Sequence, residues 1–190
     1  SSDIGNNCAI GNAYPTFEET RKYLAPGLFG PCGYGLPSVV GAKIGRPDVP
    51  VVGFSGDGAF GIAVNELTAI GREEWPAVTQ IVFRNYQWGA EKRNSTLWYD
   101  DNFVGTELDT QVSYAGIAKA CGLQGVIAKT MDELTEALHT AIKDQMENGK
   151  TTLIEAMINQ ELGEPFRRDA MKKPVAVAGV SASDMREQVA

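Results

Sequence analysis

Val51-Val52-Gly53-Phe54-Ser55-Gly56-Asp57-Gly58-Ala59 is the stretch that decides the fold. Residues 51–54 are a short apolar run between Pro50 and Gly56-Asp57-Gly58, the pattern of a buried parallel strand ending in a tight turn. Residues 59–71 follow with Phe60, Ala63, Val64, Leu67 and Ile70 near helical spacing and Gly71 as a stop. Residues 78–83 are again rich in strand formers. Residues 110–121 read as a helix ended by Gly122, and residues 124–128 as a strand. The strongest helix covers 131–147: Thr130 is its N-cap, Glu133 stands three positions on, and Leu134, Ala137, Leu138, Ala141 and Ile142 form one stripe. Residues 151–157 close the series as a strand. Alternating strands and helices predict an α/β fold, a doubly wound, mostly parallel sheet with helices on both faces.

Outward from this centre the chain changes character. Residues 1–5 read as a strand running into a glycine turn, without an initiator Met or a signal peptide, so a domain of a longer protein is expected. Residues 1–157 are expected to form one domain. Residues 158–190 have no sustained period, contain Pro165, Pro174 and Gly179, and are expected to form a C-terminal arm. Between residues 26 and 45 glycine recurs at 27, 30, 33, 35, 41 and 45, which suggests backbone approaching a ligand or another chain closely.

Composition excludes several function classes. The 190 residues are 43% hydrophobic and 22% charged, an ordinary globular balance. A formal charge of −7 without a basic run argues against nucleic acid or an anionic membrane as partner. The apolar runs are strand-sized, so no membrane-spanning helix is expected. Cys8, Cys32 and Cys121 are odd in number and widely spaced, which fits a reducing cytoplasm better than a disulfide framework or zinc ribbon. His139, the single histidine, falls midway along the strongest helix and reads as a surface position. Asp100-Asp101 reads as a loop or cap.

The chemistry lies in Asp57 and Asn85. Each follows a strand of the same βαβ unit, so both are expected beyond the carboxyl ends of neighbouring strands, where open α/β sheets bind ligands. One carboxylate and one amide oxygen are hard ligands suited to Mg²⁺, which shares its coordination sphere with substrate phosphates. Gly58 and Ala59 open the next helix, so free N–H groups face the same place. Alone, Gly-Asp-Gly is ordinarily a turn and an Asn after a strand ordinarily a cap. In this order and spacing, a metal-bridged diphosphate becomes the expected occupant.

With those residues in place, the chain resembles the thiamine-diphosphate enzymes related to acetolactate synthase and pyruvate decarboxylase. Gly56-Asp57-Gly58 followed by Asn85 matches their signature. Asp3-Ile4-Gly5-Asn6-Asn7 resembles the first strand and turn of their diphosphate-binding domain, and Gly30-Pro31-Cys32-Gly33-Tyr34-Gly35-Leu36-Pro37 a second glycine-rich motif. The resemblance covers about residues 1–157 and implies thiamine diphosphate and Mg²⁺ as cofactors. It implies Asp57, the Asn85 side chain and the Gln87 backbone carbonyl as metal ligands. Gly56, Gly58, Ala59 and Gly89 would hold the diphosphate through the backbone, with Asn6 and Asn7 in reach. The Gly30 carbonyl would accept from the aminopyrimidine, and Cys32 would be the wedge under the bent cofactor. No catalytic side chain is implied in this domain. The activating glutamate belongs to a separate pyrimidine-binding domain, contributed by a second subunit of a homodimer or homotetramer.

Two departures stand out. Relatives often carry two Asn in succession, and here the first is Arg84; Cys32 is a smaller wedge than usual. Residues 86–94 (Tyr-Gln-Trp-Gly-Ala-Glu-Lys-Arg-Asn) and 161–169, with Lys172-Lys173-Pro174, resemble family members that convert sulfoacetaldehyde and phosphate to acetyl phosphate and sulfite. Arg84, Lys92 and Arg93 are the candidate contacts for such small anions, against a solvated helix face. Arg167-Arg168 and Lys172-Lys173 could close over them or pair with a neighbouring subunit. The rival readings are an acetolactate-synthase-like or 2-oxoacid decarboxylase enzyme, a cofactor-binding or assembly module without turnover of its own, and a flavodoxin-like receiver with Asp57 as phosphoryl acceptor.

Overall fold

The computed structural model describes residues 1–162. Four strands, β1 (Val52–Gly56), β2 (Thr79–Arg84), β3 (Gln124–Ala128) and β4 (Thr152–Met157), form one sheet in the order β1-β2-β4-β3. Every pairing is parallel, with Phe54 beside Ile81 and Ile81 beside Ile154. Each strand alternates its side chains across the sheet, and both faces are covered, as a doubly wound sheet requires. On one face Val82 and Leu153 pack against Leu36 and Val39 of α2 (Gly35–Gly45), Phe60 of α3 (Asp57–Ile62), Leu67 of α4 (Leu67–Ile70) and Ala118 of α6 (Tyr114–Ala120). On the other, Ile81, Ile154 and Ala156 pack against Ala141 of α7 (Met131–Glu147), with Phe54 and Phe83 beside them. The predicted α/β class and its two helical layers are present.

The details differ in instructive ways. The single helix expected over 59–71 is broken into α3, a 3₁₀ turn at Val64–Glu66, and α4. Gly58 and Gly61 weaken a continuous helix, and the tighter 3₁₀ turn still leaves Phe60, Ala63, Leu67 and Ile70 all buried. Residues 1–5 make only a one-residue parallel bridge, Ser2 to Phe54, before Gly5 turns at φ +106 into α1 (Asn6–Ala13). Three helices carry too weak an apolar stripe to be expected from periodicity: α1, α2, and α5 (Gly89–Trp98). α5 buries none of its residues and α2 is apolar nearly all round.

Among the described residues no helix is long and apolar enough to cross a membrane. His139 is exposed on α7, as expected, and Asp100 and Asp101 are exposed loop residues with φ of +49 and +61. The basic pairs at 167–168 and 172–173 and most of the expected arm, residues 163–190, lie outside the described residues.

Candidate functional site

Three chain segments leave the sheet at one carboxyl-terminal corner: Ile4-Gly5 into α1, Gly56 into α3, and Arg84 into the loop that leads to α5. Between them is a cleft of about 670 Å³. Gly56, Asp57, Gly58 and Ala59 line it from the β1 turn; Asn85, Gln87 and Gly89 line it from the β2 turn. Asn6 and Asn7 at the start of α1, and Gly30 and Cys32 in the glycine-rich loop, complete the wall. The eleven residues singled out for the cofactor therefore share one cavity.

Asp57 is buried and its two oxygens do different things. Oδ2 accepts from the N–H groups of Asn85 (3.1 Å) and Tyr86 (2.6 Å) and from Arg84 Nη1 (3.1 Å). Oδ1 accepts from the Gly58 N–H at 3.0 Å. Tyr86 adopts φ +61 within this turn, an arrangement uncommon for a non-glycine residue. The turn is also fastened from outside, by Trp88 N–H to the Thr106 carbonyl (2.8 Å) and Leu108 N–H to the Tyr86 carbonyl (2.8 Å). Burial pushes the Asp57 carboxyl up from its ordinary value, opposed by the Tyr86 N–H, the Arg84 guanidinium and the Asn85 N–H.

The Asn85 side chain places one terminal atom 3.2 Å from the Gln87 carbonyl oxygen and 3.3 Å from Asp57 Oδ1. With the amide nitrogen there, it donates to both. With the amide oxygen there, three oxygens converge and no proton lies among them, an arrangement that a cation stabilises. Neighbouring oxygens around octahedral Mg²⁺ lie about 3.0 Å apart for ligand distances near 2.1 Å. A contraction of a few tenths of an ångström would bring the Asn85 oxygen to that spacing from both neighbours. Among the described residues no three His, Cys, Asp or Glu side chains gather that could hold a metal ion. The candidate donors here are one carboxylate and two amide-type oxygens, a set that would suit a hard cation with places left for phosphate and water.

Helix starts at this cleft carry no side-chain cap. Away from it, α6 is capped by Ser113, whose Oγ accepts from the Gly116 N–H (3.1 Å), and α7 by Thr130, which accepts from the Glu133 N–H (3.2 Å). The starts of α1 and α5 open on the cleft and have no side-chain cap. Their first N–H groups and positive dipole ends are available to an anion. Gly58 lies tightly under Trp88: a Cβ there would sit 2.7 Å from Trp88 Cε3. Only glycine lets the turn pass so close to the ring.

Two positioning residues carry little sequence signal of their own. Asp3, fully buried, accepts from the N–H groups of Gly33 (3.1 Å) and Gly35 (2.9 Å) and so hangs the glycine-rich loop on the sheet edge. Gln160, three residues after β4, donates to the Asn85 carbonyl (3.0 Å) and accepts from Gln87 Nε2 through its own carbonyl (2.8 Å). Glu161 and Leu162 thereby come to line the cleft. Burial, with the Asp3 and Glu91 carboxylates behind it, pushes the Cys32 thiol up, so it presents an uncharged surface.

Of the three cations expected to meet small anions, two are corrected by the structure. Arg84 is only 1% exposed and faces Asp57 from behind, because it ends β2 on the inward side. Lys92 donates to Gln87 Oε1 (3.2 Å), pairs with Glu107 and lies 5.2 Å from the Phe103 ring centroid, outside the cleft wall. Arg93, next along α5, lines the cleft, the one basic residue to do so among the described residues. Trp88 also lines it, whereas Trp98 and Tyr99 are exposed elsewhere on the surface.

The family model for "Thiamine pyrophosphate enzyme, C-terminal TPP binding domain" matches residues 3–156. A sulfoacetaldehyde acetyltransferase of Roseovarius nubinhibens is 87% identical over 99% of this chain, which spans 31% of that relative. A sulfoacetaldehyde acetyltransferase of Alcaligenes xylosoxydans xylosoxydans is 46% identical over 92% of the chain and 29% of its own length. Among solved structures, the thiamine diphosphate-dependent 4-hydroxybenzoylformate decarboxylase of Rhodococcus jostii RHA1 is 28% identical with a TM-score of 0.64, over 74% of this chain and 25% of that one. The chain thus spans about a third of the length of the curated relatives it matches. It belongs to the thiamine pyrophosphate (thiamine diphosphate) enzymes, as their C-terminal cofactor-binding domain.

Proposed function

We propose that the chain holds the diphosphate end of thiamine diphosphate through Mg²⁺, in an enzyme that converts sulfoacetaldehyde and phosphate to acetyl phosphate and sulfite. The observation that carries the site is the approach of the Asn85 amide to Asp57 Oδ1 and the Gln87 carbonyl at 3.3 and 3.2 Å. The choice of reaction is supported by 87% identity to a named sulfoacetaldehyde acetyltransferase across nearly the whole chain.

Asp57 Oδ1, Asn85 Oδ1 and the Gln87 carbonyl would ligate the metal. The N–H groups at the starts of α1 and α5, with that of Ala59, would meet the diphosphate oxygens. Gly58, whose N–H is held by Asp57 Oδ1, would let the backbone approach them closely. The Gly30 carbonyl, at a φ of +59 that favours glycine, would accept from the aminopyrimidine, and Cys32 would pack beneath the cofactor. The bound cofactor supplies the carbanion and the electron sink for carbon–carbon chemistry. Within this domain the protein's work is to orient, to neutralise charge and to exclude water. Arg93 would clamp a sulfonate or phosphate, using the planar fork that suits such anions.

The activating glutamate would come from a pyrimidine-binding domain on a second subunit, in a homodimer or homotetramer. Cys8, Cys32 and Cys121 are free thiols, in keeping with a cytoplasmic enzyme. The test is an assay of the full-length protein with Mg²⁺ and thiamine diphosphate. Sulfite release from sulfoacetaldehyde plus phosphate is expected, lost in Arg93→Met mainly through a raised KM. Turnover of pyruvate alone, without sulfite release, would instead indicate an acetolactate-synthase-like or decarboxylase activity. The 190-residue piece by itself is expected to bind cofactor without turnover.

A further inference from the structure

Behind Asp57 lies a buried charge arrangement outside the set of metal donors. Arg84 Nη1 donates to Asp57 Oδ2 (3.1 Å), and Nη2 donates to the Val112 carbonyl (3.0 Å) and to that of Asp109. Its Nε has no hydrogen bond and lies 3.6 Å from Glu155 Oε1. The guanidinium is enclosed by two rings, with centroids 4.2 Å (Tyr86) and 5.0 Å (Tyr114) from its central carbon. Glu155, also buried, is satisfied elsewhere, by Ser113 Oγ (2.8 Å) and the Ala115 N–H (3.1 Å). One guanidinium therefore faces two carboxylates under the cleft.

We propose that Arg84 is a positioning residue for the cation of this cleft: with the N–H groups of Asn85 and Tyr86 it occupies Oδ2 from behind, leaving Oδ1 as the oxygen turned to Asn85 and Gln87. The inference rests on the divalent-cation reading above. Arginine suits the task because one arm of its fork grips the carboxylate while the other spans two carbonyls of the loop before α6. A lysine ammonium carries the charge without that span. The competing role is plain neutralisation of Glu155, and a double variant separates the two.

The experiment uses the full-length protein with saturating thiamine diphosphate. Mn²⁺ is titrated by the paramagnetic resonance signal of the free ion, and thermal unfolding is recorded alongside. Arg84→Met is expected to weaken Mn²⁺ about tenfold or more, as loss of an outer-shell partner does, and to lower Tm by leaving Glu155 uncompensated. In Arg84→Met/Glu155→Gln most of the Tm should return while Mn²⁺ stays weak, and Arg84→Lys should fall between parent and Arg84→Met. Mn²⁺ affinity in the double variant within about twofold of the parent would overturn the proposal. Should Arg84→Met fail to fold, the double variant and Arg84→Lys decide the matter by the same criteria. A parent protein that binds no Mn²⁺ would overturn the cation reading itself, and the role of Arg84 with it.

Discussion

The N–H of Tyr86 reaches Asp57 Oδ2 at 2.6 Å, across a turn in which Tyr86 holds φ +61. That bond joins the two βα turns into one unit, so the carboxylate at position 57 is a structural acceptor and, in the proposed site, also the charge that would be offered to a cation. Asp57→Asn tests the second role while keeping much of the shape. It should weaken Mg²⁺-dependent binding of thiamine diphosphate at least a hundredfold, roughly 2.7 kcal/mol. Titration calorimetry on the full-length protein checks this, and an unchanged affinity would remove Asp57 from the metal site.

Acidity should act through the same group. Burial raises the Asp57 carboxyl above its ordinary 3.8, so in metal-free protein its contribution to stability is present below that value and is lost as pH rises through the raised one. Mg²⁺ binds only the ionised form, so metal affinity runs the opposite way and declines as pH falls through the raised value. The rise in Tm produced by Mg²⁺ with thiamine diphosphate should therefore shrink as the pH is lowered toward that raised value. Thermal unfolding with and without Mg²⁺ measures it; a rise constant across the range contradicts the assignment.

Gly58→Ala should be costly for its size. The added Cβ meets Trp88 at 2.7 Å, and the ring has to move for it to fit. A loss of about 1–3 kcal/mol is expected from such overpacking, with weaker cofactor binding because Trp88 and Gly58 line the same cleft. Denaturant titration and calorimetry read the two effects.

Thr130→Ala provides the contrast. It removes the Oγ1 acceptor for the Glu133 N–H at the start of α7, far along the chain from the cleft residues. About 1 kcal/mol of stability should be lost, while thiamine diphosphate affinity stays unchanged. A drop in affinity here would mean that α7 takes part in the site.

Where the sequence was legible, one residue property repeated along a segment. The stripe from Leu134 to Ala141 made α7 plain, and its Thr130 cap and the strand Gln124–Ala128 before it are found as expected. The meeting of Asp57 and Asn85 was legible because both follow the ends of neighbouring strands, and the structure brings them into one cleft. α1 and α5 were not, because their apolar stripes are weak and their starts face the cleft. The misjudged cations show the limit of spacing. Arg84 is adjacent to Asn85 in the chain, yet the period of two in β2 turns it to the opposite side of the carboxylate. Asp3 and Gln160 act through contacts 30 or more positions away, and no local pattern announces them.

The bare starts of α1 and α5 have a consequence for the protein's life without cofactor. Helices that supply their own terminal acceptors, as α6 and α7 do, are complete at synthesis. The starts of α1 and α5 would take theirs from a bound anion, so proteolytic nicking in the empty protein should begin around residues 5–8 and 89–91. Resistance at those places would then report occupancy directly, turning the vitamin-derived cofactor into the last piece of secondary structure to be installed.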